Sequence, residues 1–169
     1  MFLPVTKLSA ALRAVALFLI AALALSAATT PAAAQRVPPD NIIEIIIKRH
    51  LASFNDANTT GNYEVWHATL SRPFRQQFTA ERLKTAFKPF HDQQIDIAPV
   101  LAQAPILSEP ARIDKEGALI LKGAFETRPS RVLFDMRLLP AEGDWKLISI
   151  HVDVLPVADP STGGSPGKR

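Results

Sequence analysis

The chain has 169 residues, 47% of them hydrophobic, with 14 prolines, no cysteine and a formal net charge of +3 at pH 7. All 16 acidic residues follow Ala34, whereas two of the 19 basic ones, Lys7 and Arg13, precede it, so the remainder carries +1. Near-neutrality without a Lys/Arg cluster gives nucleic acid no electrostatic foothold, and the absence of cysteine excludes disulfides, thiolate metal sites and an N-terminal lipidated cysteine.

Lys7 and Arg13, the apolar run from Ala14 to Ala28, and the small residues Ala32 and Ala34 follow the three-part plan of a secretory signal peptide. The run is too short to cross a bilayer comfortably. Cleavage is expected near Ala34, with Ala28 as the other candidate, and no membrane span is expected to remain. The expected location is the periplasm or outside the cell. Residues 1–34 are then signal, 35–39 a short linker, 40–155 one domain and 156–169 a Pro/Gly/Ser-rich disordered tail.

The first helix is expected from Asn41, with Glu44 completing a capping box. Ile43, Ile46, Ile47, Leu51 and Phe54 recur at helical spacing. Gly61 is its natural stop, and Asn62 can cap a second helix from Tyr63 to Leu70. Arg72 to Phe78 reads as a loop. A third helix starts at Thr79, with a Phe78–Leu83 staple and a buried stripe of Leu83, Phe87 and Phe90, and Pro89 ends or kinks it.

Strands follow from Ile95. Closing a hairpin at Thr127–Ser130 sets Glu126 against Arg131 and Lys122 against Asp135 on one surface. The other surface pairs Phe125 with Val132, Leu121 with Met136 and Leu119 with Leu138, and Gly123 falls opposite Phe134. A second hairpin over Pro140–Asp144, with Leu139 facing Trp145, adds Ile148, Ile150 and Val152 to the apolar surface and brings Asp153 to Arg131. The outer surface then carries Ile120, Ala124, Leu133, Leu139, Trp145 and Leu147 among charges, a pattern suited to a homodimer. The fold class is α+β: three N-terminal helices packed on a curled antiparallel meander sheet.

The long first helix, the Gly61–Tyr63 corner and the Gly143-x-Trp145 opening of the last strand resemble the nuclear-transport-factor-2-like (cystatin-like cone) superfamily, and Ala57–Phe78 resembles exported bacterial members of unassigned activity. The resemblance implies a cone-like half-barrel with an apolar pocket open at one end. In relatives with catalysis, an acid–base pair projects into that cone. Here the inward positions of the late strands are apolar or glycine, so no catalytic residue is assigned and no cofactor is expected.

The expected function is an exported, non-enzymatic domain that binds a small apolar ligand or a protein partner. If a pocket exists, Phe54, Tyr63, Trp66, His67, Phe87, Phe90, Phe125, Phe134 and Met136 are the candidate ligand-binding residues, although Tyr63 and Trp66 also suit core aromatics filling the helix corner with wet polar tips. The alternative is an isomerase-, dehydratase- or hydrolase-like enzyme with Asp96 as base and Tyr63 or His67 as donor, which requires Asp96 to point inward, whereas its position favours a turn or edge carboxylate. The four histidines show no metal-ligand spacing, and Ser71 is not in a nucleophile elbow.

Overall fold

A computed structural model describes residues 36–157. The signal-peptide reading and all but the first residues of the expected tail lie outside them. Five α-helices come first: α1 (Asp40–Thr60), α2 (Glu64–Thr69), α3 (Arg72–Gln77), α4 (Ala80–Ala86) and α5 (Lys88–Asp92). A 3-10 turn (Ala98–Ala102) leads to an open antiparallel sheet of β1 (Ile106–Leu107), β2 (Arg112–Ile113), β3 (Leu119–Phe125), β4 (Ser130–Ala141) and β5 (Asp144–Pro156). Both short strands pair with the same edge of β3, and β5 forms the opposite edge. Among the described residues, no helix is long and apolar enough to cross a membrane.

The expected helix count of three becomes five because two segments break differently from the reading. Ser71 caps a short helix where a loop was expected: its hydroxyl accepts from Phe74 N–H at 3.4 Å, and Pro73 occupies a first-turn position where proline costs nothing. The expected third helix divides at Phe87, so that Pro89 sits in the first turn of α5 rather than inside a longer helix. Thr79 caps α4 as expected, accepting from Arg82 N–H at 3.3 Å. The start of α1 differs: Asp40 opens it after Pro39, with no side-chain cap, so the Asn41–Glu44 box does not form. Its end is as expected, Gly61 adopting φ 66°.

The β3–β4 hairpin has the expected register throughout. Leu119, Leu121 and Phe125 face Leu138, Met136 and Val132. On the other surface, Lys122 and Asp135 meet at 3.0 Å and Glu126 and Arg131 at 2.7 Å. Asp135 and the exposed His151 therefore lie on the surface away from the helices.

The β4–β5 hairpin corrects the expected register. It closes through a two-residue turn, Glu142 and Gly143 both adopting positive φ (56° and 77°), the geometry of a type I′ turn. Leu138 then faces Leu147, while Arg137 faces Ser149, and Ile148 is an extra residue without a partner. Side-chain parity reverses across such a bulge. Leu147 is consequently fully buried, and Trp145 packs against the core rather than on the outer surface. Beyond the bulge Ile150 and Val152 face inward as expected, opposite Met136 and Phe134. Arg131 faces Leu155, and Asp153 faces Leu133, so the expected Arg131–Asp153 pairing is absent.

The core lies between α1 and the inner sheet surface, with Ile47, Leu51 and Phe54 from the helix against Leu119, Leu121, Phe125, Met136, Leu138 and Leu147. Each such side chain contributes about 1.5–3 kcal/mol on burial. Away from the core, Asp114 ties the β2–β3 turn to β4. The Ala118 N–H, ahead of the Arg137 guanidinium, holds its carboxyl below the usual carboxylate range.

Gly123 is where the sheet tolerates no side chain. A Cβ there would lie 2.3 Å from the Ile106 carbonyl oxygen and 2.8 Å from the Phe134 ring. The backbone oxygen cannot yield without breaking the β1–β3 pairing. Gly123→Ala is expected to destabilise the fold by about 1–3 kcal/mol, the range for overpacked cores. Gly143→Ala meets no atom within 4 Å and should cost about 1 kcal/mol from its positive φ alone. Urea denaturation of both variants checks the ranking.

Candidate functional site

The corner between α1 and α2 is built by capping. Gly61 reverses the chain, and the Asn62 side chain accepts from Glu64 N–H at 3.1 Å. Tyr63 and Trp66 are thereby turned inward, 3% and 1% exposed. They join Phe54, Phe87 and Phe90 in one edge-to-face cluster. Ring centroids lie 4.8 Å apart for Phe54–Phe87, 5.3 Å for Phe54–Trp66 and Phe54–Phe90, and 6.0 Å for Tyr63–Trp66. Such pairs add about 0.5–1.5 kcal/mol each beyond burial. The structure thus brings five of the nine candidate binding residues together as packed rings.

Phe125 and Phe134 form a separate tilted pair at 5.6 Å on the sheet, and Met136 is fully buried between Leu121 and Ile150. His67 is half-buried, its Nε2–H donating to the Phe78 carbonyl at 2.8 Å.

Polar side chains join these elements. The Tyr63 hydroxyl donates to Asn58 Oδ1, and Asn58 Nδ2 donates to the Phe54 carbonyl at 3.0 Å. The Asn58 carbonyl is among the last four of α1, which have no partner within the helix. His91 Nδ1–H reaches it from α5 at 2.7 Å. His50 Nε2–H donates to the Trp145 carbonyl at 2.9 Å, fixing α1 to the start of β5. A carbonyl only accepts, so the facing nitrogen carries the proton in all three histidines. Burial, outweighing that carbonyl bond, lowers the His50 pKa.

Asp96 is the turn carboxylate and not the inward base that the enzyme alternative requires. The chain turns at Gln94, φ 51°, and enters the 3-10 turn instead of a strand. The exposed Asp96 accepts from Ala98 N–H and from Asn55 Nδ2, both at 2.8 Å, while Asn55 Oδ1 takes the Ile97 N–H at 2.9 Å. Asp96 borders a cleft of about 310 Å³ with Thr127, Ser130 and Val132. Tyr63 borders a different cleft of about 230 Å³ with Glu64, Glu81 and Lys84. The proposed base and donor share neither.

Two further clefts flank the corner. One of about 270 Å³ lies against Asp56, Thr60, Val65 and Trp66; one of about 430 Å³ lies against Asn58, Phe90, His91 and Gln94. None of the four is lined by Phe54, Phe87, Phe125, Phe134 or Met136. Among the described residues, no cluster of three acidic or histidine side chains could hold a metal ion.

The sequence reading missed His50, Asn55 and Asn58, all buried polar residues of α1. Their signal was available. His50, Phe54 and Asn58 continue the helical spacing of Ile43 and Ile47, so polar residues stand at core positions and need internal partners.

Burial pushes the Tyr63 phenol up to about 12. As the sole tyrosine, it can be followed by phenolate absorbance, which should rise only near pH 12 in the folded protein and near pH 10 after denaturation, the ordinary phenol value. The hydroxyl supports folding below pH 10, and that support is lost as pH rises towards 12. Tyr63→Phe leaves Asn58 Oδ1 buried without its donor and should cost about 1–3 kcal/mol in urea denaturation.

The depressed pKa of His50 makes stability full above about pH 6.5, the unfolded value. Stability then falls with pH, because the unfolded chain takes up a proton that the folded site refuses. The stability difference between pH 7 and pH 5 should shrink in His50→Gln.

Compared with family models, curated proteins and solved structures, the chain matches none.

Proposed function

We propose that this is an exported, non-enzymatic binding domain of the cone-like superfamily named above, and that its occupant is a protein partner rather than a small apolar molecule. The observation that carries this reading is the state of the aromatic residues: Phe54, Trp66 and Phe87 contact one another edge to face at 4.8–5.8 Å. Rings interlocked in this way fill volume that a ligand would need, and opening them would cost their packing. The polar groups fit the same reading. The hydroxyl of Tyr63 and the imidazoles of His50, His67 and His91 already hold internal partners. A general acid or base must instead be within reach of a bound substrate.

Native mass spectrometry of the protein purified from its own compartment tests this. The expected spectrum shows a bound protein chain, whether a second copy or a different polypeptide, and no small-molecule adduct. A retained apolar molecule, or a bare monomer, overturns the proposal.

A further inference from the structure

The outer edge of β5 is covered over only half its length. At its start the Trp145 carbonyl receives His50 Nε2–H, and the Leu147 carbonyl receives Ser71 N–H at 3.0 Å. After the bulge at Ile148 this protection stops. Among the described residues, no backbone group of Ser149–Leu155 bonds anything other than β4. Alternate residues there direct N–H and C=O groups away from the sheet, a template for another strand.

Edges are usually guarded by polar or charged side chains, and His151 and Asp153 stand on this one, 2.9 Å apart and exposed. Their hydrogen-bonding roles are complementary, however, an imidazole N–H against a carboxylate acceptor, and that decides the partner. We propose that Ser149–Leu155 pairs antiparallel with the same segment of a second copy about a two-fold axis at Val152.

In that register His151 faces the other copy's Asp153 in both directions. The half-buried Ile150 faces the half-buried Val154, and Val152 faces itself, so the apolar inner surfaces become continuous. A shift by one residue would join the inner surface of one copy to the outer surface of the other. A two-fold axis at His151 or at Asp153 would instead oppose identical side chains. The proposal rests on the partner-binding reading above and names the partner as this chain.

Ser149 and Leu155 are exposed and face each other across the proposed axis, so they can be altered without touching the core. In sedimentation velocity the purified protein should show a dimer whose fraction rises with concentration. S149K/L155K places Lys against Lys twice, and should raise the dissociation constant about tenfold. S149K/L155E places Lys against Glu at both positions and should restore dimerisation, with circular dichroism unchanged in each. A monomer at every concentration, or a dimer indifferent to both double variants, overturns the edge pairing. If native mass spectrometry of cell-purified protein still shows a different polypeptide, the partner-binding reading survives that failure.

Discussion

Side-chain alternation along β3, β4 and β5 is the constraint on which the molecule depends, and the bulge at Ile148 is where it is reset. Without the extra residue, Leu147 and Trp145 would project outward from the end of the sheet that the helices hold. With it, both turn inward, and their carbonyls are met by Ser71 N–H and His50. Arg49 reaches Asp144 at 2.6 Å beside them. Helical layer and sheet are thus fastened at the hairpin end, by bonds whose acceptors are positioned by the bulge.

Short helices make such fastenings necessary. Four of the five have seven residues or fewer, far below the length at which a helix persists alone in water. Each presents unpaired backbone groups at its ends. Ser71, Thr79, Asn62 and His91 satisfy some of these from neighbouring segments, and Asn55 with Asp96 does the same for the 3-10 turn. The residues that looked most like chemistry are largely the residues that hold elements together. An exposed carboxylate with two donors on one oxygen serves a local turn well, whatever lies in the cleft beside it.

The parts legible in the sequence were those where two independent signals agreed. In the β3–β4 hairpin, charge pairs and apolar pairs demand the same register, so the turn could be closed correctly. The β4–β5 hairpin offered weaker restraint: Glu142 takes a positive φ that composition does not advertise, and a bulge leaves no mark in a run such as Lys146–Ile150. The register therefore drifted by two residues at Asp153 while keeping the right faces for Ile150 and Val152. At the corner, Gly61 and Asn62 announced the turn, and the aromatic cluster followed. Whether those rings line a space or fill it depends on their mutual angles, which spacing along a chain does not encode. Asp96 stayed open between two readings because a polar residue entering an apolar run looks alike as a strand start and as a turn cap.

The bulge also bears on how two copies could meet. An outer sheet surface carrying Trp145 and Leu147 would have been a plausible apolar interface. With both turned inward, that surface keeps Ile120, Ala124, Leu133, Leu139 and Leu155 among the ion pairs Lys122–Asp135, Glu126–Arg131 and Arg137–Asp114. Face-to-face packing would remove these charges from water, at a cost of several kcal/mol per ion before any contact is gained. Pairing along the β5 edge leaves them solvated. It satisfies backbone groups that the monomer leaves to water, and it extends an apolar surface already half-covered. The same inserted residue that completes the core therefore favours the proposed edge pairing over packing on the face of the sheet.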